Sequence, residues 1–262
     1  MRKAASILRG GYRKGFAAFK LAICLPLVVI VLVAAAPAQT QAQTQTQTQT
    51  QTQTLWWPQL DTYIGLTPNL QLMLLAEGAI NPDAGNQQIV LGPNLDISLL
   101  PFLIPKIKTL DKTRNHYLNL RLAYRYVATV GNRSSHTHRG LIEVTPRIPL
   151  PAKFVLADRN QLVLVGAAEQ VSWLYRNRLT LARSFQVHSL IFTPYIQAQV
   201  IYNSNPGSWN RYNWDTGSVV RLSAHVELDP YFRHVDTIDG TGHPLNGMGL
   251  KLELFFRNLK DR

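Results

Sequence analysis

The two-residue alternation of apolar and polar side chains across residues 55–262 limits the folds open to this chain more than any other feature of its sequence. In Leu118-Asn119-Leu120-Arg121-Leu122-Ala123-Tyr124-Arg125-Tyr126, one side carries Leu, Leu, Leu, Tyr and Tyr, the other Asn, Arg, Ala and Arg. Between Arg211 and Ala224, Tyr212, Trp214, Val220, Leu222 and Ala224 oppose Arg211, Asn213, Asp215, Gly217 and Arg221. Between Arg139 and Ile148, Ile142, Val144 and Ile148 oppose Arg139, Glu143, Thr145 and Arg147. Successive side chains of a β-strand point to opposite faces, so this is the period of strands with one apolar face. The pattern predicts strands near 56–66, 69–80, 88–99, 116–128, 138–148, 153–165, 171–185, 190–203, 210–224, 226–237 and 246–257.

Such strands have two homes. A soluble sandwich buries its apolar faces in a core; a membrane barrel turns them to lipid and lines its lumen with the polar ones. Four features favour the barrel. Many strands reach 11 residues or more, against a mean of roughly 5–6 in globular proteins and the ≈ 9–11 that span a bilayer. The polar faces mix arginines with acids. Tight connections (Thr67-Pro68-Asn69, Pro149-Leu150-Pro151, the join near Ala224) tend to alternate with longer polar ones (Asn81–Gln88, Gly131–Thr137, Asn203–Ser208, Asp239–Pro244). An export signal precedes the whole. The expected fold is therefore all-β, a single antiparallel up-and-down transmembrane β-barrel of about 10–12 strands. Eleven predicted strands is an odd count, whereas bacterial single-chain barrels have even ones. An extra turn within Trp56–Leu66, or two short strands that are one, would restore parity. Pro146, Pro194 and Pro230 fall inside predicted strands, where each removes a ladder hydrogen bond and marks a bulge or a strand end.

The N-terminal residues read as something other than fold. Arg2, Lys3, Arg9, Arg13, Lys14 and Lys20 precede an uninterrupted apolar run from Leu21 to Ala36, and Ala36-Pro37-Ala38 offers a small-residue cleavage site. Residues 1–38 are thus expected to be a signal peptide, with a retained anchor as the alternative. Residues 39–54, a Gln-Thr repeat broken by Ala42, lack any large apolar residue and are expected to be a disordered linker, leaving 55–262 as the barrel domain. Removing the signal takes six of 27 Lys and Arg and no acid, so 21 cations remain against 15 acids. The excess that would suggest a nucleic-acid partner belongs to the export signal, and no nucleic acid is expected. The lone cysteine, Cys24, lies in the same segment, which excludes a disulfide scaffold. The expected location is the bacterial outer membrane after export through the periplasm.

The final segment, Gly247-Met248-Gly249-Leu250-Lys251-Leu252-Glu253-Leu254-Phe255-Phe256, is similar to the C-terminal signal by which outer-membrane barrels are recognised for insertion, although Arg257 to Arg262 extend past it. Its expected partners are the barrel-assembly machinery and outer-membrane lipid. Leu156-Ala157-Asp158-Arg159-Asn160-Gln161-Leu162, Trp173-Leu174-Tyr175-Arg176-Asn177-Arg178-Leu179-Thr180-Leu181, Thr193-Pro194-Tyr195-Ile196-Gln197-Ala198, Tyr202 and Trp209-Asn210-Arg211 follow in order. This pattern resembles domain of unknown function 2490, a bacterial family of exported outer-membrane β-barrels. The resemblance covers about residues 55–258 and implies place and fold without a reaction. The chain departs from the family at Gln161, where a second Arg is expected, and at Gln199, where an acid is common, which thins the lumenal charge network.

The candidate site is that lumen. Arg121, Arg125, Arg139, Arg147, Arg159, Arg176, Arg178, Arg211, Arg221 and Arg233 fall on polar faces, with Glu77, Glu143, Asp215, Glu227, Asp229 and Glu253 as candidate partners. Such a set either packs a narrow barrel with ion pairs or selects anions and binds a small anionic ligand. No catalytic residue, metal or cofactor is assigned. His136-Thr137-His138 lies in an expected external loop without a third ligand. His188-Ser189, Ser223 near His225 and Ser134-Ser135-His136 are the serines a lipid hydrolase could use, but the first two lie in expected periplasmic turns, away from surface lipid, and nothing orients the imidazole of the third. Trp56, Trp57, Trp173, Trp209 and Trp214 suit an interfacial belt. No nucleotide-binding or metalloprotease motif occurs. The reading is a non-enzymatic, porin-like barrel with an Arg- and acid-lined interior; a narrow anion-preferring pore and an outer-membrane lipid hydrolase are the alternatives.

Overall fold

The computed structural model describes residues 53–67, 69–81, 86–99, 118–131, 134–167, 170–188, 190–205, 207–238 and 244–256. The expected signal peptide, most of the Gln-Thr segment and residues 257–262 lie outside them. The strands are β1 (Gln53–Thr67), β2 (Leu70–Asn81), β3 (Asn86–Leu99), β4 (Leu118–Val130), β5 (Ser135–Pro149), β6 (Phe154–Ala167), β7 (Gln170–Arg183), β8 (Phe185–Val187), β9 (Leu190–Asn203), β10 (Ser208–Arg221), β11 (Val226–Thr237) and β12 (Leu245–Phe256). β1 starts two residues inside the Gln-Thr repeat. β8 continues β7 past a break at Ser184 and pairs only with β9, so eleven long strands form the wall among the described residues.

Each long strand pairs with its neighbours, and β12 pairs with β1, so the sheet closes on itself. The expectation of a wholly antiparallel barrel fails at that one seam, where β1 and β12 run parallel from Gln53↔Leu245 to Ile64↔Phe256. The cause is parity. An odd number of up-and-down strands returns the last to the direction of the first, and closure then joins two parallel strands. Neither an extra turn in β1 nor a merged pair of strands restores an even count. β12 is tightly packed on its inner side: a Cβ on Gly249 would fall inside the Tyr231 ring of β11, and one on Gly247 would meet the Leu55 carbonyl and the Trp57 ring across the seam. Tyr63 and Phe255 stack across it at 4.8 Å.

The tight turns sit at one end, called the lower end here, and β1 begins at the other, the upper end. The expected sorting of loop lengths is incomplete. Only residues 168 and 169 join β6 to β7 at the upper end, while residues 100–117 join β3 to β4 at the lower. Pro146 interrupts the β5–β6 ladder between Val144↔Asn160 and Arg147↔Ala157. Pro230 interrupts β10–β11 but stays in register with Leu250 of β12.

Buried apolar side chains point inward: Leu55, Trp57, Tyr231 and Val235 form one cluster, and Met73, Leu75, Val90 and Val127 another. Outside, Leu122, Ile142, Val144, Leu162, Leu164, Leu179, Ile196 and Leu250 are exposed. Aromatic rings gather on the outer surface toward the upper end, with Trp173 stacked on Tyr202 at 5.3 Å and Tyr202 edge-on to Trp209 at 5.6 Å. Trp57 does not belong to that belt. Consecutive residues of a strand face opposite ways, so Trp56 is 42% exposed outside and Trp57 only 7% exposed inside.

Candidate functional site

Alternation aims the odd-numbered residues of β4 to β6 and β9 to β12, and the even-numbered residues of β7, at the barrel axis. There they line one cavity of about 1220 Å³, whose walls run from Arg211 and Leu245 near the upper end to Lys153, Phe154 and Gln186 at the lower. Twelve Lys and Arg side chains and five Asp and Glu side chains line it. Of the residues expected from sequence, Arg121, Arg125, Arg139, Arg147, Arg159, Arg176, Arg178, Arg211, Arg233 and Glu253 are in that lining. Glu143, Asp215 and Glu227 are buried in the wall beside it, and Arg221 holds Glu227.

Toward the middle and lower end, every paired carboxylate holds a cation. Arg121 and Asp96 form a two-pronged pair at 2.6 and 2.7 Å. Arg159 reaches Glu143 at 3.2 Å, and Glu143 also accepts hydrogen bonds from Thr145 and Gln161. Arg233 grips Asp215 at 3.0 and 2.9 Å, between the faces of Trp57 and Tyr231. Gln197 also donates to Asp215. Arg221 donates to Glu227 at 2.7 and 2.6 Å, and Lys251 lies 3.1 Å from Asp229 and 2.7 Å from Glu253. Guanidinium forks and carboxylates fit each other in this way, and every pair but Lys251–Glu253, which lies within β12, ties one strand to the next.

Asp96 and Lys251 belong to this network, and Asp61, which accepts from Gln59 at 3.0 Å, lines the same cavity; none of the three was named from sequence. Asp96 stands between Leu95 and Ile97 in an alternating strand, so the face was readable; its partner, 25 residues away, was not. At Gln161 and Gln199, where an Arg and an acid were expected, amides stand beside guanidiniums. Gln161 accepts from Arg176 at 3.4 Å, and Gln199 accepts from Arg178 at 2.8 Å. A neutral amide there solvates a guanidinium without cancelling its charge.

Asp158 and Asn160 face outward on β6, opposite to Arg159, and their neighbours satisfy them. The Asn177 amide donates to Asp158 at 2.7 Å and to Asn160 at 3.1 Å, and the Tyr175 hydroxyl donates to Asn160 at 2.6 Å.

The remaining candidates fall into structural roles. His136 and His138 are in β5 rather than a loop, beside Tyr124 and Tyr126, with the Tyr124 hydroxyl 2.6 Å from His138 Nδ1. Ser223 Oγ accepts the backbone N–H of His225, whose Nδ1 sits 2.8 Å from the Phe255 carbonyl oxygen. Ser134 Oγ donates to the Gly131 carbonyl at 3.5 Å. Ser189 lies outside the described residues. Of the described candidates, Ser134, Ser135 and Ser223, none is hydrogen-bonded to an imidazole.

No family model matches the sequence, and no curated protein matches it. Among solved structures, the chain is similar to LpxR from Salmonella typhimurium, at 12% identity over 74% of this chain and 86% of that one, with a TM-score of 0.47. It is also similar to the β domain of the Bordetella autotransporter Brka, at 12% identity over 72% and 83%, with a TM-score of 0.41.

Proposed function

We propose that this chain is a non-enzymatic barrel of the bacterial outer membrane whose lumen admits small anions in preference to cations. The outer surface supports the location. Strands of 12–15 residues, rising about 3.3 Å per residue and tilted about 40°, cross roughly 35 Å, which exceeds the ≈ 25 Å apolar band of such barrels. An apolar band of this extent is unsuited to water, since soluble monomers rarely expose contiguous patches above a few hundred Å². Export by residues 1–38, insertion by the barrel-assembly machinery and membership in the domain of unknown function 2490 family are parts of the same reading.

The observation that carries the anion preference is a cavity lined by twelve cations and five acids, which keeps an excess of cations after Glu143 and Asp215 in the wall neutralise Arg159 and Arg233. A cationic passage of low dielectric concentrates anions and repels cations. Recording from single barrels in a planar bilayer under a potassium chloride gradient tests this. Conductance steps with a reversal potential displaced toward that of chloride are expected; a silent barrel or a potassium-selective one overturns the proposal.

A further inference from the structure

The interior charges are not spread evenly. Asp96, Glu143, Asp215, Glu227, Asp229 and Glu253 each hold a cation in the middle or lower part of the barrel. Nearer the upper end, Arg125, Arg139 and Arg176 line the same cavity and form no salt bridge among the described residues. Arg125 stands directly opposite Arg139 on the neighbouring strand. Like charges in that position repel, whereas four residues away Arg121 stands opposite Glu143. Arg176 is in register with the buried Ile201, and Ile201 with Arg211 at the cavity mouth, so no carboxylate separates those two either. Among the described residues, Glu77 is the acid whose charge acts on all three arginines. In each of the three the Nε–H is shut off from solvent and has no hydrogen-bond partner.

Buried donors are normally paired, and three guanidiniums around one carboxylate are a poor arrangement if the space between them stays empty. An oxyanion placed among them satisfies free N–H groups and cancels the repulsion together. With Glu77 subtracted, three arginines leave two positive charges, which suits a dianion, and the guanidinium fork matches phosphate oxygens. We infer that Arg125, Arg139 and Arg176 form a binding site for a phosphate-type dianion, the phosphate being free or carried by a small solute. The closed wall keeps the site away from lipid head groups. This inference rests on the anion-admitting lumen proposed above and assigns it a specific ligand class and place.

The test uses the folded barrel in detergent, titrated with inorganic phosphate at fixed ionic strength and followed by calorimetry and thermal unfolding. Phosphate is expected to bind saturably and raise the unfolding midpoint above that in chloride. Arg139→Gln weakens binding at least about tenfold, since a hydrogen bond to a charged group is lost. Ile201→Glu places an internal carboxylate between Arg176 and Arg211 and abolishes phosphate binding while heat-modifiable gel mobility persists; the neutral Ile201→Gln still binds. No phosphate effect, an equal effect from chloride, or undiminished binding by Ile201→Glu overturns the inference. So does binding of a short-chain phosphatidate without binding of inorganic phosphate. A silent barrel that binds phosphate sinks the pore and leaves the site. A conducting barrel indifferent to phosphate does the reverse.

Discussion

Breaking the Arg233–Asp215 pair is the sharpest perturbation of the barrel interior, because its two halves are unequally shielded. The Asp215 side chain is 4% exposed and that of Arg233 18%. At a charge separation of about 4 Å and an effective dielectric near 20, their attraction is about 4 kcal/mol, offset by the cost of drying both groups. Removing one partner leaves that cost on the survivor. Asp215→Asn strands a guanidinium that still lies over Trp57 and Tyr231 and faces the cavity; a loss of about 2 kcal/mol is expected. Arg233→Gln strands a carboxylate buried in the wall, with only the Gln197 amide left to solvate it; about 3–4 kcal/mol is expected. The double variant recovers part of the loss. Urea unfolding of barrels in lipid vesicles, followed by tryptophan fluorescence, reads all three. If Arg233→Gln proves milder than Asp215→Asn, or the losses simply add, the pair does not carry the energy assigned to it.

Further outcomes follow from single contacts. Asn177→Ala removes the donor to outward-facing Asp158 and should cost about 1–3 kcal/mol in the same assay, while Asp158→Asn restores most of it; an unaffected midpoint contradicts the polar cluster. Gly249→Ala drives a methyl into the Tyr231 ring and should cost about 1–3 kcal/mol, relieved when Tyr231 is shortened to Leu. Among single-tryptophan barrels, brominated lipid chains should quench Trp56, Trp173 and Trp214 and spare Trp57; quenching of Trp57 would reverse the assignment of β1 faces.

Much of this architecture was written in local pattern. The predicted 190–203 and 226–237 coincide with β9 and β11, and 153–165 with most of β6, because a closed wall with an apolar outer face forces a strict period of two. Even the odd strand count was visible in the pattern. Its consequence was not, since the pairing of β1 with β12 joins segments almost two hundred residues apart and no local signal specifies it. Contacts across strands were equally hidden. Asp158 and Asn160 made no sense on an outer face until Asn177 and Tyr175 stood beside them. Trp56 and Trp57 are adjacent and cannot share a face, so placing both in the belt could hold for only one of them; the structure turns Trp57 inward. His136 and His138 looked like loop residues because β5 starts in a run of Ser, His and Thr.

Nitroxide scanning of β5 from Arg139 to Thr145, in barrels whose only cysteine is the introduced one, most directly tests which side of the wall meets lipid. Labels at 140, 142 and 144 should collide with oxygen dissolved in the bilayer, and those at 139, 141, 143 and 145 with a water-soluble nickel chelate, the two profiles out of phase. Profiles in phase, or nickel access at Ile142 and Val144, would contradict the account.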